Sequence, residues 1–253
     1  MRSANTVKIA VSPWRGKATL GDGWATFFGQ SGDNAPHQHL AVQMVIACDT
    51  FARVQLADKE IITSPVVLIA PNVEHQLLPG EVLLIYLDPE SRLGSVLAQR
   101  CAAGVLALDG AVRDYLVEAS GRENNHALIH TIANHFGVEV RESGTDAPKD
   151  RVERLLADLK HRRELPQSLS QLATEASLSS SRLRHRIAQI VGMPYRPYLR
   201  WLRLQRALKL TIAGNSLTDA AHAAGFADAA HLARTMRRHF GITLSQVLEA
   251  FRR

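Results

Sequence analysis

Residues 216–241 read SLTDAAHAAGFADAAHLARTMRRHFG, and this stretch decides the fold of the C-terminal half. Ser216 to Ala224 opens as a short helix, Gly225-Phe226 makes a turn, and Asp228 to Phe240 continues as a second helix closed by Gly241. Leu232, Met236 and Phe240 recur every fourth position, so they form an inward stripe and leave His231, Arg234, Arg237 and Arg238 facing outward. About 47 residues upstream the scheme repeats. There Ser168 to Ala173 opens a helix, Ser177-Leu-Ser179 is the turn, and Ser180 to Val191 runs up to Gly192, with Ser179 placed to cap it. Leu183, Ile187 and Ile190 point inward while Arg182, Arg184, His185 and Arg186 project elsewhere. Between the units, Pro194 to Ile212 carries Tyr198, Leu202, Gln205, Leu208 and Ile212 at the spacing of one long connecting helix.

Charge separates this region from the rest. Residues 149–253 hold 19 Lys plus Arg against 8 Asp plus Glu, whereas residues 1–148 hold 11 against 16. A short basic segment built from paired helices suits phosphate neutralisation, because an α-helix fits the major groove and Arg reaches guanine edges with two hydrogen bonds. A single helix pair of this kind is often only a solvated face. The duplication and the charge split favour DNA.

Composition closes other routes. With 46% hydrophobic and 21% charged residues in 253, the chain buries real cores. Its longest apolar runs, Val66 to Ala70 and Val82 to Leu87, fall far short of the roughly 20 residues of a membrane span. The first ten residues lack the apolar core of a signal peptide. Cys48 and Cys101 alone build neither a disulfide framework nor a four-cysteine zinc site. The chain has no Gly-rich phosphate loop and no Gly-x-Ser-x-Gly nucleophile motif.

Residues 138–150 lose periodicity and collect Gly, Ser, Thr, Asp and Pro, which predicts a linker between domains at 1–137 and 151–253. Before about residue 88 short β-rich runs, Ala41 to Ala47, Val66 to Ile69 and Val82 to Leu87, alternate with turn residues and predict a small antiparallel barrel or sandwich. From Ser91 to Phe136 the pattern is helical, on Leu93, Val96 and Leu97, then Val112, Tyr115 and Leu116, then Leu128, Ile129, Ile132 and Phe136. The fold expected is α+β: an N-terminal β-barrel with appended helices, then an all-α domain of two helix-turn-helix units joined by a long helix.

Residues 192–210, GMPYRPYLRWLRLQRALKL, then 216–226 and the closing Phe240-Gly-Ile-Thr-Leu-Ser245, resemble the signature of the AraC/XylS family of bacterial transcription regulators. The resemblance covers about residues 151–252 and implies a cytoplasmic regulator whose two reading helices enter successive major grooves of promoter DNA. In the first helix it places Ser181, Arg184 and His185 at bases, with Arg182 and Arg186 on phosphates. In the second it places Ala229, Ala230, His231, Ala233 and Arg234 at bases, with Arg237 and Arg238 near the backbone. Two departures matter: Ala229 and Ala230 stand where the family often has polar residues, and Leu244 replaces a usual proline. The first unit is therefore expected to carry more of the base-specific hydrogen bonding.

Residues 35–43, APHQHLAVQ, with 69–75, IAPNVEH, are similar to the cupin-type sensor barrel of many such regulators, where a small effector binds. His37, His39, Gln43 and His75 then admit three readings: an effector pocket, structural histidines bonded to backbone, or a divalent metal. Gln43 stands where a metal-binding cupin has a carboxylate, and a neutral amide is the poorer ligand. The effector pocket is preferred and no metal or other cofactor is assigned. Trp24 is a further pocket candidate, and of Phe27 and Phe28 only one can face inward. His126 and His130 read as surface or interface residues, and both cysteines as packed thiols. The expectation is a ligand-responsive, sequence-specific DNA-binding regulator without catalysis, acting as a homodimer and in contact with RNA polymerase. The alternative is a metal-binding cupin sensor or cupin enzyme with a basic helical tail.

Overall fold

Strict alternation of side chains along three apolar runs builds the N-terminal half. The computed structural model describes residues 13–122, 125–139, 150–162, 164–166 and 168–252. Its strands are β1 (Arg15–Leu20), β2 (Trp24–Ser31), β3 (Val42–Ala47), β4 (Ala52–Leu56), β5 (Ile61–Ser64), β6 (Val66–Ile69), β7 (His75–Leu77), β8 (Gly80–Leu87) and β9 (Val105–Leu108). They form an antiparallel six-stranded sheet in the order β1-β2-β8-β3-β6-β9 and a three-stranded sheet β5-β4-β7. On β3, β6 and β8 one set of residues, Val42, Met44, Ile46, Val66, Leu68, Leu83, Ile85 and Leu87, packs under helices. The alternate set, Val45, Ala47, Val67, Ile69, Val82 and Leu84, packs toward Ala52, Val54 and Leu77 of the small sheet. Both faces of the large sheet are thus covered, which is why these strands read as near-continuous apolar runs, broken in β3 by Gln43. Burying each such side chain is worth about 1.5–3 kcal/mol over leaving it exposed. Phe27 is buried and Phe28 is 49% exposed, as alternation requires.

The covering helices are α1 (Arg92–Arg100), α2 (Gly110–Arg122) and α3 (Asn125–His135). They contribute Leu93, Leu97, Leu116, Leu128, Ile129 and Ile132 to the shared core. The expected helical stretch is interrupted by β9, which pairs with β6 from Val66↔Leu108 to Ile69↔Val105. Val-Leu-Ala-Leu is too short for its period to tell helix from strand, and the open edge of β6 offers it hydrogen bonds. Cys101 is buried and Cys48 half-buried.

The C-terminal half consists of α4 (Arg151–His161), α5 (Leu169–Ala176), α6 (Ser180–Val191), α7 (Tyr195–Ile212), α8 (Leu217–Ala223), α9 (Ala229–Phe240) and α10 (Leu244–Arg252). Helices α5–α6 and α8–α9 are the two repeated units and α7 is the long connection between them. Helices α4 and α10 flank the pair. Of the expected linker, Val138 packs in the sheet-covering core and Asp150 caps α4, while residues 140–149 lie outside the described residues. No helix among the described residues is long and apolar enough to cross a membrane.

The two halves share packing. Leu40 and Ala41, just before β3, belong to the same buried cluster as Leu183, Trp201, Leu232 and Met236. Ala250 of α10 packs on the core between the sheets. The bond from the Ala35 N–H to the Gly241 carbonyl is 2.9 Å long and ties the chain ahead of β3 to the end of α9.

Candidate DNA-binding surface and effector cavity

Helix α6 begins because the Ser179 hydroxyl accepts the Arg182 N–H at 3.3 Å, and it ends because Gly192 adopts a left-handed conformation. Its Leu183 and Ile187 are buried, and Ser181, Arg182, Arg184 and His185 are exposed. Helix α9 repeats the device: the Asp228 carboxylate accepts the His231 N–H at 2.6 Å and Gly241 terminates it. Leu232 and Met236 are buried while Ala230, His231, Arg234, Arg237 and Arg238 are exposed; Ala229 and Ala233 are half-covered. Each unit therefore presents a cationic row on the face opposite its core. Arg186 differs from the other expected contacts. Its guanidinium bonds the Asp150 carboxylate, with Glu153 at 3.9 Å, so it clips α6 to α4. Backbone N–H donation at the start of α4 and then Arg186 hold the Asp150 carboxyl below its usual range.

The histidine cluster lies between β3, β7 and the end of α9. His37, His39 and His75 are buried, with ligand-capable nitrogens all within 4.8 Å of one another. Each Nδ1 faces a backbone carbonyl: His37 that of Ala35 at 2.9 Å, His39 that of Ala41 at 3.0 Å, and His75 that of Val73 at 2.9 Å. A carbonyl only accepts, so each Nδ1 carries the proton and each Nε2 presents its lone pair. Burial, the largest influence on all three, pushes His37 down to about 3 and His75 to about 2 and lowers His39 as well, so the rings are neutral at physiological pH. The Gln43 amide lies 2.8 Å from His39 Nε2 and 2.9 Å from His75 Nε2, with the Tyr86 hydroxyl at 3.4 Å on its other side. Two lone pairs require donors, so the consistent orientation turns the amide NH2 toward the rings, one hydrogen to each, and lets its oxygen accept from Tyr86.

A cavity of about 640 Å³ opens beside this cluster between the two halves of the chain. Trp24, Phe27 and Leu84 come from the large sheet, Trp14 from the residue just before β1, His126 and His130 from α3, and Trp201, Phe240 and Phe251 from the C-terminal helices. Of the five sensor residues expected from sequence, Trp24, His37 and Gln43 reach its wall; His39 and His75 do not. Trp24 packs edge-on against His126, which stacks on His130 at 5.7 Å. The indole Nε1 of Trp201 and Oδ1 of Asn34, both in lining residues, are buried without a hydrogen-bond partner among the described residues.

Two attachments across the cavity escaped the sequence reading. Lys160 of α4 bonds Glu90 at 2.6 Å and Asp88 at 3.2 Å, both carboxylates buried just after β8. Burial raises the Glu90 carboxyl against the opposing pull of Lys160, and the two acids hold the Lys160 ammonium above its usual range despite its own desolvation. Phe240 stacks on His39 at 5.9 Å and meets Tyr86 edge-on at 5.8 Å, so the last residue of α9 rests on the histidine cluster. Sequence periodicity had turned Phe240 inward without saying that its neighbours come from the other half.

Residues 172–250, within the C-terminal half, match a family model described as a helix-turn-helix domain. The chain shares the fold of ToxT from Vibrio cholerae, with a TM-score of 0.57 at 13% identity over 91% of this chain and 99% of that one. A structure of ToxT with an unsaturated fatty acid bound is similar to the same degree, with a TM-score of 0.57 at 10% identity over 92% of this chain and 97% of that one. A regulator from Chromobacterium violaceum described as carrying an AraC-type DNA-binding domain is 27% identical over 40% of this chain and 88% of that one, with a TM-score of 0.35. No curated protein matches the chain.

Proposed function

We propose that this AraC-type regulator reads duplex promoter DNA with α6 and α9 under the control of a small effector held between its two halves. The observation that carries the first part is the pair of capped helices, each with its apolar row buried and its cationic row exposed. Ser181, Arg184 and His185 meet base edges and Arg182 a phosphate. In the second unit His231 and Arg234 face bases, Ala229 and Ala230 offer methyl contacts, and Arg237 and Arg238 clamp the backbone. Arg186 becomes a phosphate contact only by releasing Asp150.

The effector occupies the cavity lined by Trp24, His37 and Gln43. Its walls are largely apolar, it is enclosed by both halves, and Lys209, among its lining residues, lies 3.9 Å from Asp22. These features suit an elongated apolar molecule with an acidic head, the class to which the fatty acid bound to ToxT belongs. Because such a ligand touches both halves at once, its binding free energy differs between docked and undocked arrangements, which is what control requires. The protein acts in the bacterial cytoplasm as a homodimer, and the α2–α3 pair, with Tyr115 exposed, is the face offered to a second copy.

The test is selection of bound duplexes from a random pool at physiological salt, followed by titration of variants. Arg184→Ala should cost about 1–3 kcal/mol at the selected site and relax one base preference, and Arg237→Ala should weaken all sequences alike and flatten the salt dependence. Failure of the pool to converge on any sequence would overturn the reading.

A further inference from the structure

In the regulator reading Ser181, Arg184 and His185 of α6 turn to bases, and a second row lies along the flank of the helix. Arg182, His185, Arg186 and Gln189 recur at i, i+3, i+4 and i+7, so they share one stripe. A helix about 10–12 Å across fills a major groove about 12 Å wide, and its flanks then lie against the sugar–phosphate strands. On this flank the protein holds an open groove of about 540 Å³, walled on the other side by Asp150 and Arg151 at the start of α4.

An anion already sits there. The Asp150 carboxylate divides its work between its two oxygens. Oδ1 accepts the N–H groups of Val152 and Glu153 at 2.8 and 2.9 Å and so caps α4, while Oδ2 accepts from the Arg186 guanidinium, with Nε at 2.9 Å. Capping needs only the first oxygen. The second holds a cation of the reading helix, with Glu153 3.9 Å from the same guanidinium. Arg151 and Arg182 line the groove without a carboxylate partner among the described residues.

We propose that this groove is a seat for one backbone phosphate of duplex DNA, with Arg151, Arg182 and Arg186 as its cations, and that Asp150 occupies it in the free protein as a built-in competitor. The proposal rests on the regulator reading and adds to it a DNA-facing part of α4, outside the two repeated units, and a residue that holds affinity down. The side chains of Asp150 and Arg186 are 34% and 40% exposed, and water screening keeps such a pair weak. A phosphodiester offers its charged oxygens to three cations and its neutralisation releases counterions from the duplex, so it displaces Oδ2. Arg186 then turns to DNA while Oδ1 keeps the cap and α4 stays formed. Asp150 remains beside the phosphate as a like charge, so the chain binds every duplex less tightly than its arginines alone permit.

The experiment is fluorescence anisotropy of the full-length protein with a labelled duplex of scrambled sequence, repeated between about 50 and 200 mM salt. Asp150→Asn keeps a side-chain oxygen for the cap and loses the charge. It should tighten binding about 2- to 5-fold and steepen the fall of log K with log salt by up to about 0.9. The gain should be equal on a selected site, since phosphates carry no sequence information. In an Arg186→Ala background most of the gain should be lost. Arg151→Ala should flatten the slope by about 0.9, whereas Arg154→Ala, exposed on the same helix but outside the groove, should leave it unchanged. Should Asp150→Asn fray α4, seen as lost helical circular dichroism, the comparison of Arg151→Ala with Arg154→Ala still decides. A slope indifferent to Asp150→Asn in a folded variant, a gain that persists in full without Arg186, or equal slopes for the two α4 arginine variants would overturn the seat while leaving the regulator reading intact. Absence of duplex binding by the unsubstituted chain would overturn that reading, and the seat with it.

Discussion

Gly192 and Gly241 occupy the same place in the two helix-turn-helix units, and replacing each by alanine separates helix termination from the docking of the two halves. Both are left-handed, at φ 73° and 69°. An alanine there costs about 1–2 kcal/mol of backbone strain, partly offset by about 0.4–1 kcal/mol from a less flexible unfolded chain. At Gly192 nothing lies within 4 Å of the added carbon, so Gly192→Ala should destabilise by about 1 kcal/mol and no more. At Gly241 the carbon would stand 2.3 Å from the Ala35 carbonyl oxygen, and both flanking contacts are backbone or a fixed ring. Relief requires the Ala35–Gly241 hydrogen bond to stretch, about 0.5–1.5 kcal/mol, and the interface to shift, about 1–3 kcal/mol. Gly241→Ala should therefore lose about 3–5 kcal/mol in all, unless the halves separate first and cap the cost. Urea unfolding of the two variants gives the free energies, and small-angle X-ray scattering tells whether Gly241→Ala expands while Gly192→Ala does not. Equal destabilisation with unchanged scattering from both would refute the claim that α9 is seated on the barrel.

Lys160→Met should leave Asp88 and Glu90 buried without their cation. Loss of one partner of a buried pair costs about 3–5 kcal/mol, reduced here to about 2–3 because the lysine is 31% exposed. Glu90 already takes up its proton more readily folded than unfolded, so its charge disfavours folding as pH rises; without Lys160 that penalty grows, and the variant's deficit by urea unfolding should be larger at pH 8 than at pH 5. Burial pushes the Cys48 and Cys101 thiols up to about 11, so alkylation of the native protein at pH 7.5 should be slow, rise with pH, and become rapid in denaturant; fast native labelling would contradict the packing of both. Asp228→Ala should cost about 0.5–2 kcal/mol of stability through loss of the cap on α9 and weaken DNA binding measured by fluorescence anisotropy, while Asp228→Asn should retain most of both.

The helix-turn-helix half was legible because its determinants are local. A serine or aspartate ahead of each helix, a glycine after it, and apolar residues every third or fourth position fix where α6 and α9 start, stop and face, and they leave Arg184 and Arg234 outward in any packing. Strands β3, β6 and β8 were legible for a similar reason, since runs that are apolar but for Gln43 and the start of β8 announce burial on both faces. Strand β9 was not, because Val105–Leu108 becomes a strand only where β6 lends its edge. The resemblance of residues 35–43 and 69–75 to a cupin-type barrel also put His37, His39, Gln43 and His75 into one group, without deciding what they do there.

That decision belongs to tertiary structure. Which nitrogen of each ring holds the proton depends on the carbonyls of Ala35, Ala41 and Val73, and which way Gln43 turns depends on His39, His75 and Tyr86, brought from separate strands. The role of Arg186 is set by Asp150, 36 positions away, and that of Lys160 by acids 70 and 72 positions away. Phe240 looks from its period like an ordinary core residue, and only the meeting of the two halves makes it the contact between α9 and the histidine cluster. Local spacing specifies faces and ends of helices; charge pairing, tautomers and the cavity wall arise from groups far apart in the chain, whose approach no short-range pattern encodes.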